Sequence, residues 1–145
     1  MDNNKVEVLL VEDNPHDAEM TIRTLKKVNL ANKLIHLKDG AEALDFIFGK
    51  GVYMDRDIND KPKVILLDIK MPKVDGIEVL RQIKSNEATK TIPVVIMTSS
   101  KEEQDVIASY NYGVNSYIVK PVDFESFAKA VSELGYYWLI TNQSA

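Results

Sequence analysis

The sequence contains no cysteine, which excludes a disulfide framework and all thiolate chemistry and agrees with a reducing, cytoplasmic setting. No apolar run approaches the roughly 20 residues that a membrane-spanning helix needs. The opening MDNNKVEVLL is acidic and polar before it turns strand-like, so it has no signal-peptide pattern. A basic excess is also lacking: 18 Lys and Arg against 22 Asp and Glu give a net charge of -4. Both signs are mixed along the chain, which argues against non-specific nucleic-acid binding. Histidine is scarce, with only His16 and His36. Two isolated histidines are not a metal motif, and both are read as solvent-facing or ordinary packing residues rather than phosphoryl donors. No glycine-rich phosphate loop follows the first strand-like run, which excludes that form of nucleotide binding. Internal repeats, low-complexity stretches and linkers are absent as well.

What is present is an ordinary globular balance, 45% apolar and 28% charged over 145 residues. That length suits one domain with one core, expected over residues 1–145 with no output domain. Five β-branched-rich runs alternate with five segments of helical period. The strands are expected at Val6–Val11, Lys33–Leu37, Lys63–Asp68, Pro93–Thr98 and Ser116–Val119. The first helix opens at Pro15 behind an Asn14 N-cap, with Ala18, Ile22, Leu25 and Val28 as its stripe. The second follows Gly40 and is marked by Ala41, Leu44 and Phe48. The third spans Gly76–Asn86 with Ile77, Leu80 and Ile83 on one face. The fourth spans Glu102–Tyr112 and ends at Gly113. The fifth, capped by Asp123, carries Phe127, Val131, Leu134 and Trp138 to about residue 142. Residues 49–62 are polar and aperiodic and are expected to form a long surface loop. Strands alternating with helices imply right-handed βαβ crossovers and a parallel sheet. The continuously apolar third and fourth runs fit strands covered on both faces.

In such a sheet, ligands bind beyond the carboxyl ends of the strands. The residues there are Glu12 and Asp13 after the first run, Asp68 after the third, Thr98 with Ser99 and Ser100 after the fourth, and Lys120 after the fifth. Clustered carboxylates repel one another and call for a cation. An all-oxygen donor set favours a hard ion, and Mg²⁺ takes one or two carboxylates while keeping positions for water and phosphate. Asp68, central among them, is the candidate nucleophile for an aspartyl-phosphate. Lys120 and Thr98 are the candidate partners of the phosphoryl oxygens.

Taken together, LLVEDN (9–14), ILLDIKMPKVDG (65–76), VVIMTSS (94–100) and SYIVKP (116–121) resemble the receiver domains of two-component response regulators. Order and spacing agree over nearly the whole chain. The resemblance implies a flavodoxin-like (βα)5 fold, a five-stranded parallel sheet of order 2-1-3-4-5 with helices on both faces. It implies that Asp68 accepts phosphate from a histidine kinase. Asp13, Asp68 and the backbone carbonyl of Lys70 would bind Mg²⁺, with Glu12 assisting, often through water. Thr98 and Lys120 would sense the phosphoryl group, and Tyr117 would be the aromatic that turns inward when the hydroxyl moves. The Lys120–Pro121 peptide would be cis, and Lys70 and Ser100 would tune the phosphate lifetime. Glu12 stands where the family often has an aspartate. The loop at 49–62, the stretch DVIASYNYGVNSYIVKP and the tail YYWL resemble the small stand-alone receivers that partner bacterial phytochrome-type kinases.

Two other functions use related parts. A haloacid-dehalogenase-type phosphatase also has an aspartate nucleophile and Mg²⁺, but it needs an acid two residues on. Here that residue is Lys70, and an ammonium is a poor proton donor at neutral pH. A constitutive scaffold would have lost the aspartate, threonine or lysine, and all three are present. The leading expectation is a protein that catalyses only its own phosphoryl uptake and loss and switches a protein-binding surface toward an unidentified target. Tyr136 and Tyr137 cannot both share the face of Trp138, so an exposed aromatic is expected there. That makes a homodimer or partner surface on the last strand and helix the expected readout.

Overall fold

The structure is a computed structural model that describes residues 7–27, 33–71, 73–100, 114 and 116–133. Its elements are β1 (Val8–Val11), α1 (Pro15–Lys26), β2 (Leu34–Leu37), α2 (Gly40–Phe48), a short 3-10 turn (Gly51–Tyr53), β3 (Val64–Asp68), α3 (Gly76–Ser85), β4 (Val94–Thr98), β5 (Ser116–Val119) and α4 (Phe124–Glu133). The expected helix at Glu102–Tyr112, and Val6, Val28, Leu134, Tyr136, Tyr137 and Trp138, lie outside the described residues.

The five strands form one parallel sheet in the order β2-β1-β3-β4-β5. Successive side chains on a strand point to opposite faces, and the two cores follow that alternation. Leu9 and Val11, Ile65 and Leu67, and Val94 and Ile96 meet Phe46 and Ile47 of α2 and Val79, Leu80 and Ile83 of α3. Val8 and Leu10, Val64 and Leu66, and Val95 and Met97 meet Ala18 and Leu25 of α1 and Phe127 and Val131 of α4. Burial of β1, β3 and β4 on both sides explains why their sequences read as unbroken apolar runs.

Local signals set the helix starts. Asn14 accepts from the N–H groups of His16 and Asp17 at the head of α1. Asp39 caps α2 through Glu42 N–H, Asp75 caps α3 through Glu78 N–H, and Asp123 bonds Ser126 N–H ahead of α4. Each bond satisfies an orphan donor of a first turn.

Two expectations are refined. Ala41, Leu44 and Phe48 mark α2; Ala43, Phe46 and Ile47 are its buried apolar side chains, and Leu44 and Phe48 pack half-buried against the same core. The segment GAEALDFIF is apolar around most of its circumference, so period alone does not choose a face. At its start Gly40 packs against the carbonyl of Val74, in a space a Cβ would overfill. The 49–62 segment is tied down by its own contacts. Arg56 stacks on the Phe46 ring, 3.9 Å from its centroid, and donates to the carbonyls of Phe46 (3.0 Å) and Asp60 (2.6 Å). Tyr53 sits edge-on to Phe46 and donates to Glu42 Oε2. Gly49, at φ 65°, ends α2 in the left-handed conformation that glycine adopts without strain. Among the described residues, no helix is long and apolar enough to cross a membrane.

Candidate functional site

The carboxyl ends of β1, β3 and β5 surround an open cleft of about 240 Å³. Glu12, Asp13, Asp17, Asp68 and Lys120 line it, and Lys70 and Ser99 contribute to its wall. Asp68 is the last residue of β3 and is 4% exposed. It stays in place because the chain turns back tightly behind it. Gly76 N–H donates to Ile69 O, and a Cβ on Gly76 would run into the Asp68 carbonyl. One carboxylate oxygen of Asp68, Oδ1, takes Lys70 N–H at 3.3 Å and faces Lys120 Nζ, also at 3.3 Å.

Lys120 follows β5 and is fixed by its own N–H, which donates to Thr98 O at 2.8 Å. The Lys120–Pro121 bond is cis, as the resemblance implies. Lys120 Nζ lies 2.7 Å from Glu12 Oε1, 3.2 Å from Asp17 Oδ2 and 3.3 Å from Asp68 Oδ1. Glu12 is buried, and its Oε1 has no hydrogen bond of good geometry, so the ammonium faces it as a charge rather than as an aligned donor. Glu12 Oε2 accepts from Asn14 N–H.

Three carboxylates on the Lys120 ammonium, with Asp13 beside them, concentrate negative charge at this end of the cleft. Burial, reinforced by Glu12, pushes the Asp68 carboxyl up to about 6, with Lys120 pulling the other way. Asp13 is raised too, by desolvation and then by Asp68. Desolvation opposes the charge on Lys120, but Glu12, Asp68 and Asp17 together hold its pKa above the usual lysine value. Glu12, Asp13 and Asp68 each offer an oxygen, and these oxygens lie within 4.8 Å of one another. That all-oxygen set suits a hard divalent cation, which would relieve the repulsion raising Asp68.

The other sequence-predicted residues are placed as follows. Thr98 is fully buried at the end of β4, and its hydroxyl donates to Ser100 O at 3.0 Å. Tyr117 is half-buried, in register with Ile96, and packs against the core under α2 and α3. His16 is exposed. His36, read from sequence as a solvent-facing or ordinary packing residue, bonds Glu12 O through Nε2 at 2.8 Å. Asp17 is the member of the cleft that the sequence reading passed over. Its position in the first turn of a helix that starts beyond β1 was the available signal.

Residues 8–132 match the family described as response regulator receiver domain. The response regulator Rcp1 of Synechocystis sp. is 41% identical over 134 residues, which covers 92% of this chain and 89% of Rcp1. The structure of the bacteriophytochrome response regulator AtBRR superposes with a TM-score of 0.86 at 50% identity, covering 92% of this chain and 94% of that one. The Mn²⁺-bound form of Rcp1 superposes with a TM-score of 0.73 at 40% identity, covering 94% of this chain and 96% of that one. With its parallel sheet of order 2-1-3-4-5 and an acidic cleft at the strands' carboxyl ends, the chain belongs to the response regulator receiver family.

Proposed function

We propose that Asp68 takes a phosphoryl group from a histidine kinase and that the domain passes this change to a protein-binding surface. The observation that carries this reading is the buried carboxylate of Asp68, fixed at one oxygen by Lys70 N–H and facing Lys120 across the cleft. An Asp68 oxygen attacks the phosphorus of a phosphohistidine in line. The O–P bond forms as the N–P bond breaks, and the electron pair stays on the imidazole nitrogen, which takes up a proton.

Glu12, Asp13 and Asp68, with the backbone carbonyl of Lys70, would hold Mg²⁺, Glu12 through water. Bound there, the ion supplies positive charge for the transferring phosphoryl oxygens. Lys120 gives the phosphoryl group the donor that it now turns to Asp68. The Thr98 hydroxyl exchanges Ser100 O for a phosphoryl oxygen, and Tyr117, on the neighbouring strand, follows the space this vacates. The added charge, about -1.5 to -2, is enough to drive that exchange. Lys70 and Ser100 flank the group and set how readily water reaches it.

The similarity to AtBRR supports a phytochrome-type kinase as donor, and the lack of cysteine supports a cytoplasmic setting. The exposed Val119 and Phe124 at the end of β5 and the start of α4 support a protein surface there, a second copy included. The net charge of -4 favours a protein over nucleic acid as target. On this reading the domain catalyses only its own phosphorylation and dephosphorylation.

Intact mass after incubation with acetyl phosphate and Mg²⁺ tests the assignment. One added phosphoryl mass is expected, absent in Asp68→Asn and in EDTA. No gain in folded wild type that binds Mg²⁺, with its kinase supplied as well, would favour a constitutive receiver-fold scaffold.

A further inference from the structure

We infer that His36 is a positioning residue for the acidic loop: its imidazole holds the Glu12 peptide in the arrangement that presents Glu12 and Asp13 to a divalent cation. This rests on the metal-binding reading of the cleft and adds a residue to it from outside the cleft wall.

β2 is an edge strand whose partner is β1, with Leu10 opposite His36 and Val11 opposite Leu37. The backbone ladder carries one residue past β1, where Glu12 N–H donates to Leu37 O at 3.0 Å. The carbonyl of Glu12 then accepts from the His36 side chain at 2.8 Å. The two peptide groups flanking the Glu12 α-carbon are therefore tied to consecutive residues of β2, one through backbone and one through imidazole. A carbonyl oxygen can only accept, so Nε2 must carry the proton, and this fixes the ring in one orientation. The second tie matters because the Glu12 carbonyl belongs to the peptide that leads into Asp13. Rotation of that peptide would swing the exposed Asp13 relative to the buried Glu12 and Asp68, whose oxygens now lie within 4.8 Å of one another. The Glu12 carboxylate has separate restraints in Asn14 N–H and Lys120. His36 governs the backbone between the acids rather than an acid itself. Hydrogen-bonded groups behind a metal's ligands act in this way, by limiting the ligands' freedom.

The test is calorimetric titration with MgCl2, with thermal unfolding with and without Mg²⁺, on wild type, His36→Leu, His36→Asn, His36→Gln and the control Asp13→Asn. Wild type binds Mg²⁺ and Asp13→Asn does not. His36→Leu and His36→Asn, which cannot place a donor on the Glu12 carbonyl, bind about 10-fold more weakly. His36→Gln, which reaches with an amide N–H, recovers most of that affinity, and its Mg²⁺-induced rise in Tm exceeds that of His36→Leu. Should His36→Leu fail to fold, His36→Asn carries the comparison. Wild-type affinity in both the Leu and Asn variants, with binding lost in Asp13→Asn, would overturn the role of His36 and leave the metal reading standing. Equal weakening in the Gln and Leu variants would also overturn it, because ring packing would then be what matters. Absence of binding in wild type would overturn the metal reading, and the positioning role with it.

Discussion

Lys120 Nζ and Glu12 Oε1 stand 2.7 Å apart, although β5 and β1, which precede them, are separated in the sheet by β3 and β4. The contact spans the carboxyl end of the sheet and places one ammonium against three carboxylates. Its removal leaves a buried charge without a partner. We expect Lys120→Met to lose about 3 kcal/mol of stability in EDTA at neutral pH, because uncompensated buried carboxylates are costly. Urea unfolding measures this, and Mg²⁺ should restore part of the loss. An unchanged midpoint in EDTA would show that water already solvates Glu12.

Asp68 is a buried acid whose charge is held against stability. Its folded pKa, about 6, lies above the ordinary carboxylate value. Between the two values the native state holds a proton that the unfolded chain has lost, so stability falls as pH rises through that window and stays lower above it. Asp68→Asn removes the charge. We expect this variant to be more stable than wild type in EDTA at pH 7.5, by on the order of 2–3 kcal/mol, with the difference vanishing only below the unfolded carboxylate value. Tm measured against pH for both proteins checks the sign.

Gly76→Ala tests the tight return behind β3. The added methyl meets the carbonyl of Asp68 and the α-carbon of Ile69, both backbone. Backbone cannot swing aside as a side chain can, and overpacking of this kind costs about 1–3 kcal/mol. Asp68 should shift with it, so phosphoryl uptake from acetyl phosphate should slow while the far-UV spectrum is kept. Unimpaired uptake would mean that the turn relaxes without moving Asp68.

Asp39 gives a pH effect of the opposite sign. Its carboxylate accepts Glu42 N–H at the head of α2 and pairs with Lys73, and both lower its pKa. That stabilisation is present above the unfolded value and is lost as pH falls through the lower folded one. Asp39→Ala should cost about 1 kcal/mol at pH 7, and the gap from wild type should close in acid. A gap independent of pH would assign the cost to something other than the charge.

The sequence made the central strands and the cleft's main residues legible for a physical reason. A strand covered on both faces must be apolar throughout, so the abrupt Asp68 after Val64–Leu67 stands out, as does Lys120 just after β5. Asp17 was hidden because an acid in a first turn already has an explanation in the helix dipole. Its contact with Lys120, 103 positions away, is a tertiary fact. His36 was hidden for a similar reason. Its bond to Glu12 depends on the parallel register of β2 on β1, which composition does not encode.

The tie between Arg56 and Phe46 has a practical consequence. It closes the 49–62 segment onto α2 by its own contacts, and Val52, at 88% exposure, stands at the projecting turn. A side chain there can be exchanged with little effect on the cleft, because what anchors the segment is Arg56, Tyr53 and Gly49. A cysteine at position 52 would be the sole thiol of the chain, so a probe attached there would mark one defined point well away from the acidic cleft.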